Sequence, residues 1–314
     1  MSHWWIVAAA LLVDLAVGDP LVPPHPVILM GRYIGWFERR SNRPAVRGNR
    51  LRGVLLVITT VGFFAGAAWL ALALLGHVSA VLAAALSIWL IATTIAWRGL
   101  ADAGRTVFRA LRDGGLAAGR VAVAHYVGRD TAQLSEAEVV RAAVETLAEN
   151  VVDAIVAPVL FALVGGAPLA LAYRAVNTLD AMVGQKSARY ATFGWASARL
   201  DDVLNWVPAR LTALLMWAAL ALDGLDARRG WRVMWRDAGR HPSPNSGIPE
   251  ALMAGALGVR LGGWNWYQGT PEFRAYLGDP GRPLQPSAIP RTIRVVHLVA
   301  AALLLLLLAG GAVR

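Results

Sequence analysis

Long apolar stretches are the feature of this chain that most restricts its fold. A helix needs about 20 consecutive apolar residues to cross the hydrocarbon core of a bilayer. The chain is 57% hydrophobic and only 16% charged, whereas about 25% of the residues in soluble domains are charged. The stretches that reach or approach the required length are Trp4–Val17, Gly53–Leu75, Val78–Trp97, Val151–Tyr173, Val203–Leu222 and Val295–Gly311. We therefore predict an all-α, polytopic integral membrane protein.

The first apolar stretch, Trp4–Val17, is short and carries Asp14. No Lys or Arg precedes it, and Gly18-Asp19-Pro20 is a poor cleavage site, so we expect it to stay as the first helix and not to be removed as a signal peptide. Asp19 and His25 follow in a tight segment and are minor candidates for a site. A lone histidine in such a loop is more often structural.

The formal net charge is +10, from 30 Lys and Arg residues against 20 Asp and Glu residues. Basic charge fits nucleic acid, anionic lipid or an anionic substrate. The arginines are scattered over loops and no recognition module is visible, which argues against nucleic acid. For most of them the simple explanation is the excess of positive charge in cytoplasmic loops. The chain has no cysteine, which excludes disulfides, thiolate nucleophiles and cysteine-based metal sites.

Loop charge also orients the chain in the membrane, because positive loops stay on the cytoplasmic side. The segment 32–52 holds seven arginines against Glu38, so we place it in the cytoplasm. By the same reasoning the polar insertions 98–150 and 223–294 are cytoplasmic. The expected organisation is one membrane domain, 1–314, with its site facing the cytoplasm.

The connector 174–204 does not fit a simple alternation of spans. It would lie outside if both neighbouring apolar stretches crossed the membrane, yet it carries the polar residues expected of a site. The stretch before it is interrupted by Pro158, Gly165, Gly166 and Pro168. We therefore expect a kinked or re-entrant segment packed against protein, with the connector folded back to the cytoplasmic side.

The two polar insertions differ in local structure. Ser135 followed by Glu138 has the pattern of a capping box, which predicts a helix start in the first insertion and explains Glu138. The second insertion is rich in Pro, Gly and Trp, and its prolines argue against a long regular helix. Trp264, Trp266 and Tyr267 are expected near the lipid headgroups, as in aromatic belts.

Glu145, Glu149 and Asp153 form an acidic stripe just before or within an apolar stretch. They are spaced at i, i+4 and i+8, so on a helix they point the same way. Mg²⁺ usually takes one or two protein carboxylates and completes its shell with water and phosphate oxygens. We assign Glu149 and Asp153 as metal candidates and Glu145 as a candidate base. The alternative is a solvated helix face that pairs with Arg141.

A second group contains both cations and acids. Arg174, Asn177 and Asp180 share one side of a helix, and Lys186 and Arg189 follow. We assign the amide and the three cations to phosphate or nucleotide binding and Asp180 to the candidate bases. The group is not a P-loop, which needs a glycine before its lysine. The alternative is an interfacial anchor built from Lys and Arg.

A third group surrounds two adjacent acids, Asp201 and Asp202. Adjacent helical side chains point about 100° apart, so only Asp201 shares a face with Asn205, at i and i+4. Asp201 is therefore the third metal candidate. Arg199 and Arg210 balance the charge.

The string HPSPNSGIPE combines a proton carrier with a constrained turn. His241 can carry a proton near neutral pH, and Glu250 is a second acid. Asn245-Ser246-Gly247 predicts a turn whose N–H groups converge on an anion, which makes these residues binding candidates. The alternative is a plain structural turn.

Taken together, long strings of the chain resemble one family. They are LLVDLAVGDP, PHPV and MGR near the start, GRDT at 128–131, ETLAENVVD, YRAVNTLDAMVG, ARLDDVLNWVPARLTA and HPSPNSGIPEA. The chain is similar, over almost its whole length and in the same order, to the membrane adenosylcobinamide-phosphate synthases of cobalamin biosynthesis.

The resemblance implies an ATP-dependent amide ligase. It would join the remaining propionate carboxylate of adenosylcobyric acid to the amine of (R)-1-amino-2-propanol phosphate, with Mg²⁺ as cofactor and ATP consumed to ADP and phosphate. Lipid, and a second copy of the chain or other corrinoid-pathway enzymes, are the further partners it implies. Within this reaction Glu145, Asp180 or His241 would act as general base. No nucleotide-binding fold is recognisable, so the ATP site is implied by the reaction alone.

Two other classes of protein remain open on the residues. A transporter of an anionic or corrinoid substrate would also have intramembrane acids and broken helices, but no inverted repeat is evident. A scaffold for other corrinoid enzymes would bind substrate without turnover.

Overall fold

The computed structural model describes residues 3–18, 25–44, 46–185, 187–281 and 283–313. It is 75% helical with one two-stranded sheet, which confirms the all-α membrane class and adds a hairpin to it. The elements in chain order are α1 (His3–Val17), α2 (Pro26–Ser41), α3 (Asn49–Val78), α4 (Ala80–Ala92), α5 (Trp97–Ala124), α6 (Glu136–Val151), a π-helical turn (Val152–Val156), α7 (Ala157–Val183), α8 (Trp195–Leu204), α9 (Trp206–Leu222), α10 (Ala227–Asp237), a 3₁₀ turn (Ala238–Arg240), α11 (Gly247–Leu257), β1 (Leu261–Tyr267), β2 (Thr270–Leu277) and α12 (Ala288–Ala312).

Among the described residues, four helical segments are long and apolar enough to cross a membrane. They are Asn49–Val78, Ala80–Ala124, Glu136–Val183 and Ala288–Ala312. The pair α8 and α9, bent by 45°, would be a fifth if it forms one span. Helix α1 is confirmed as a helix, but its 15 residues are shorter than these spans.

The chain packs into two compact units, and each is described by itself. The first unit comprises Met1–Ala96, Asp153–Asn205 and Leu304–Arg314, and the second comprises Trp97–Val152 and Trp206–Leu303.

In the first unit α3 packs against α7, α4 and α8. Gly53 of α3 permits a close approach to the segment before α8, because a Cβ there would collide with the carbonyl oxygen of Phe193. The outer face of α3 stays apolar and exposed, as at Ile58 and Phe63, which is typical of a lipid-facing surface. The predicted interruption of α7 is confirmed: Gly165 and Gly166 leave helical geometry, with φ of +63° at Gly166.

In the second unit α6 packs against α5 and α11, and α10 packs against α11. The predicted capping box is confirmed, since Ser135 and Glu138 bond each other's backbone N–H groups. Helices α10 and α11 approach closely at two glycines. A Cβ on Gly255 would lie 2.8 Å from the Cα of Gly230.

The prediction for the second insertion missed a β-hairpin. Strands β1 and β2 pair antiparallel through a two-residue turn in which Gln268 and Gly269 both have positive φ, the geometry of a type I′ turn. Trp264 and Trp266 are exposed, while Asn265 between them is buried. The Pro and Gly content hid this alternation of period two.

Candidate functional site

The carboxylate of Glu145 is fully bonded within the second unit. Its side chain, on α6, is only 6% exposed. Oε2 accepts a 2.5 Å hydrogen bond from Nη2 of Arg129, and Oε1 accepts one of 2.8 Å from the backbone N–H of Gly262. The Nε of Arg141 lies 4.0 Å from Oε1, so the alternative of a pairing with Arg141 is present, but on a buried face and not on a solvated one. These contacts tie α6 to the hairpin and occupy both carboxylate oxygens.

Asn265 completes this ion-pair network. Its Oδ1 accepts hydrogen bonds from Nη1 of Arg129 at 2.7 Å and from Nη2 of Arg141 at 3.1 Å. Arg141 also donates to the carbonyl oxygens of Gly262 and Trp264. Gly262 has φ of +77°, a conformation that favours glycine, and this turns its N–H toward Glu145. The network is therefore built from backbone geometry as well as charge.

The loop before α6 holds the other end of the hairpin. The carboxylate of Asp130 accepts hydrogen bonds from the N–H groups of Gln268 and Gly269. Its own N–H donates to the carbonyl oxygen of Trp266 at 2.7 Å. Arg129 and Asp130, adjacent in sequence, thus grip the strand and the turn.

His241 and Glu250 face each other with unsatisfied atoms. Nε2 of His241 lies 3.7 Å from Oε1 of Glu250, and the side chains are 7% and 4% exposed. This distance exceeds the ~3.2 Å limit of an ordinary hydrogen bond. Neither atom has a hydrogen-bond partner among the described residues. Buried polar atoms are rarely left unpaired, so this pair is suited to receiving a ligand or a proton.

Charges around this pair come from α6, the loop before it and β2. Burial lowers the pKa of His241, and burial together with the negative charges of Glu149 and Glu145 raises the pKa of Glu250 well above its usual value. Arg274 and Arg129 oppose the effect on Glu250. For Arg274 itself, burial would lower the pKa, but Tyr267, Glu149 and the other acids raise it overall. The pair thus combines an imidazole whose pKa is lowered with a carboxyl group whose pKa is raised, and the cation Arg274 lies beside them.

The predicted anion-binding turn has a different geometry. The N–H groups of Asn245 and Ser246 both donate to the hydroxyl oxygen of Ser243, so these two amides are occupied and do not form the expected anion nest. The Oδ1 of Asn245 accepts from Nη1 of Arg210 at 3.3 Å. Gly247 begins α11, where a Cβ would collide with the carbonyl oxygen of Ala238. The turn instead fixes the approach of His241 to α11.

A polar chain crosses the interior of the first unit. The hydroxyl of fully buried Tyr173 lies 2.9 Å from Oδ1 of Asn205 and 3.3 Å from Oδ1 of Asp153. Nδ2 of Asn205 donates to Oδ2 of Asp201 at 3.0 Å, which confirms their predicted common face. Asp180 and Asp153 are electrostatic neighbours of Asp201. The unit therefore places two acids, Asp153 and Asp201, near Tyr173, and a third, Asp180, near Asp201.

The cationic candidates are more dispersed. Nη1 of Arg174 donates to Oδ1 of Asn177 at 3.2 Å, as their spacing on α7 predicts. Arg189 pairs with Glu38 at 2.8 Å and is 62% exposed. His25 is buried. Lys186 and Asp19 lie outside the described residues.

The metal candidates are divided between the two units. Glu149 belongs to the second unit, and Asp153 and Asp201 to the first. Within the described ranges no three His, Asp or Glu side chains are grouped so that they could hold a metal ion. The metal roles of Glu149, Asp153 and Asp201 therefore stay predictions. An ion that arrives with phosphates needs only one or two protein carboxylates.

Sequence reasoning missed several residues of these groups. Glu250 was considered only as a second acid, and Tyr173 only as the end of an apolar stretch. Arg129 lies in the GRDT string, which was noticed for its resemblance and not for its charge. Asn265 and Arg274 gave no signal, since the hairpin that positions them was not predicted.

Comparisons with known proteins give a consistent result. A family model described as CobD/Cbib protein matches residues 7–296. Cobalamin biosynthesis protein CobD of Geobacter metallireducens is 50% identical over 295 residues, covering 93% of this chain and 92% of that protein. Cobalamin biosynthesis protein CbiB of Salmonella typhi is 44% identical over 294 residues, and CobD of Klebsiella pneumoniae is 45% identical over 294 residues, each covering 93% of this chain and 92% of the relative. No solved structure matches the chain.

Proposed function

Because the chain belongs to the CobD/CbiB family of cobalamin biosynthesis proteins, we propose that it is the ligase that makes adenosylcobinamide phosphate. The acyl substrate is adenosylcobyric acid, the amine is (R)-1-amino-2-propanol phosphate, and MgATP is the co-substrate. The new bond is an amide between the free propionate carboxylate of the corrinoid and the amine nitrogen. The helices long enough to span a membrane fit an enzyme of the bacterial cytoplasmic membrane whose site opens to the cytoplasm, where ATP is found.

The reaction requires activation, because a carboxylate is a poor acyl donor. Transfer of the γ-phosphoryl group of ATP to the propionate gives an acyl phosphate and ADP. Attack by the amine nitrogen on the acyl carbon then breaks the bond to phosphate, which leaves. When bound with ATP, Mg²⁺ would supply positive charge that stabilises the transferring phosphoryl group.

The His241–Glu250 pair is the single observation that carries this proposal. The attacking amine must lose a proton, and a general base works best when its pKa lies near the operating pH. Burial and neighbouring acids raise the pKa of Glu250 in that direction, so its carboxylate is a stronger base than an exposed one. Nδ1 of His241 accepts a hydrogen bond from the N–H of Ser243 at 3.1 Å, which puts the ring proton on Nε2, so His241 is placed to orient and stabilise the carboxylate of Glu250.

Other groups fit supporting tasks. Arg274 beside this pair stays cationic and suits an anionic phosphate. Arg174 and Asn177 in the first unit suit the same chemistry, and so does Lys186 if it keeps the role its motif predicts. We assign Glu145 to structure, because both of its oxygens are already bonded.

The test is a reaction of purified protein in detergent or nanodiscs with adenosylcobyric acid, the amine phosphate and MgATP. We expect one ADP and one phosphate per corrinoid amide, with the product identified by mass spectrometry. Ethanolamine phosphate in a parallel reaction tests the choice of amine. Glu250→Gln and His241→Gln should each lower turnover about 10²–10⁴-fold, the usual contribution of a general base.

The matched control is Glu272→Gln, which removes an exposed carboxylate of β2 and should retain full turnover. Uptake of corrinoid by sealed vesicles with no amide product would replace the ligase by a transporter. Binding of the corrinoid with neither ligation nor uptake would indicate a scaffold protein. Full turnover of both pair variants would move the proton acceptor elsewhere while leaving the ligase assignment standing.

A further inference from the structure

Helix α10 carries an outward stripe of alternating cations and indoles. Arg228, Trp231, Arg232 and Trp235 stand at i, i+3, i+4 and i+7, so they share one face. Trp235 is 74% exposed, and both arginines are exposed. The opposite face, with Gly230, Val233 and Met234 among its residues, is buried and packs against α11. The stripe is therefore not needed for the helix to fold.

The arginines of α10 divide into two kinds. Arg229 and Arg236 form ion pairs with Asp279, at 3.2 Å and 2.7 Å. Arg228 and Arg232, on the stripe, have no ion pair within the described part of the chain. Two unpaired cations between two tryptophans leave positive charge available to a partner outside the protein.

The tryptophans continue the apolar surface of α9. The ring of Trp217, on α9, meets that of Trp231 edge to face at 6.2 Å, and Trp231 meets Trp235 in the same way at 6.3 Å. Helix α9 belongs to the bent pair that passes the length and hydropathy test for a span. Its outer side chains, such as Leu214, are exposed. A line of aromatic rings thus leads from a lipid-facing helix onto α10.

We propose that α10 lies in the plane of the membrane interface and that its stripe binds anionic lipid headgroups. Tryptophan is enriched at the headgroup level, where its ring is apolar and its N–H is polar. Helices that lie in the interface combine arginine with large apolar side chains. Each arginine that lies next to an anionic membrane surface raises the affinity for that surface about fivefold. Charge complementarity and continuity with α9 together select a lipid surface over a protein partner.

Because the chain has no cysteine, single spin labels can be placed without background. The probes are Trp235→Cys on the stripe, Leu214→Cys as the lipid-facing reference and Gln133→Cys as the exposed loop reference. Accessibility to oxygen and to a water-soluble nickel chelate is measured in nanodiscs of phosphatidylcholine alone and with added phosphatidylglycerol. We expect the label at 235 to lie between the two references and to shift toward Leu214 when phosphatidylglycerol is added.

Charge variants separate headgroup binding from simple burial. Arg228→Gln with Arg232→Gln should abolish the shift caused by phosphatidylglycerol, whereas Arg228→Lys with Arg232→Lys should keep it. A label at 235 as accessible to the chelate as Gln133 in both lipids would place the stripe in water and overturn the proposal. A label shielded from both reagents would indicate a protein cover, such as a second copy, and would also overturn it. If the label at 235 lies at the same depth in both lipid mixtures, the stripe does not bind anionic headgroups specifically and the proposed partner is wrong.

Discussion

Neutralising Glu145 should damage stability more than chemistry. The variant Glu145→Gln keeps an oxygen for the N–H of Gly262 but removes the negative charge between Arg129 and Arg141. Both side chains of the Arg129–Glu145 pair are 6% exposed, so solvent screens the interaction little. Unit charges 4 Å apart interact by about 4 kcal/mol at an effective dielectric constant of 20. Breaking a buried pair on one side costs ~3–5 kcal/mol, because the remaining charge stays buried.

The geometry also predicts an asymmetry between the partners. Arg129→Met leaves Glu145 with Arg141, whose Nε is 4.0 Å away, so some compensation remains. Glu145→Gln leaves both arginines without their ion-pair partner and should cost more. The double variant restores local charge balance, so its loss should be smaller than the sum of the two single losses, with a coupling of about 0.5–3 kcal/mol.

The assay is reversible unfolding in mixed micelles as the fraction of denaturing detergent rises, with amide formation measured on the folded protein. Glu272→Gln serves as the surface control and should change the free energy of unfolding by no more than about 0.5 kcal/mol. If Glu145→Gln unfolds like the wild type while losing amide formation, Glu145 takes part in the chemistry and the structural assignment is refuted.

Three further changes test other parts of the structure. The pKa of Glu250 is raised from its usual 4.5 by burial, so the folded protein holds this proton more tightly than the unfolded chain. Wild-type stability relative to Glu250→Gln should therefore be greatest below about pH 4.5 and fall as pH rises through the folded pKa; parallel stability curves would contradict this. Tyr173→Phe should cost about 1–3 kcal/mol by leaving buried Asn205 and half-buried Asp153 without the hydroxyl, and an unchanged unfolding midpoint would show that the polar chain does not stabilise the fold. Gly255→Ala should destabilise by about 1–3 kcal/mol through crowding against Gly230, whereas Gly62→Ala, at an open position of α3, should stabilise by up to about 1 kcal/mol; equal effects would deny the close helix contact.

Local signals predicted local structure well. The capping box at Ser135, the break at Gly165 and Gly166 and the common face of Asp201 and Asn205 all depend on residues a few positions apart. Apolar length likewise located most of the membrane-spanning candidates.

The partners of the acids were beyond such signals. The sequence indicates a base at Glu145 because it does not show the two groups that donate hydrogen bonds to its carboxylate. These groups, on Arg129 and Gly262, are 16 and 117 residues away. The hairpin that brings Gly262 and Asn265 to α6 begins in a segment whose glycines disguise a strand. Whether a carboxylate is available for chemistry depends on such distant contacts. The residue pattern of α6 alone does not predict these contacts.

The grip of residues 129 and 130 on the hairpin has a consequence for engineering. Surface loops ordinarily accept inserted residues with little penalty. Here a single extra residue between Arg129 and Asp130 would pull either the guanidinium from Glu145 or the carboxylate from the turn amides. The stretch 128–131 is accordingly a poor place for an epitope or a fluorescent fusion, even though Gly128 and Asp130 are exposed. The hairpin should travel with α6 as one piece and should not swing open as a flap.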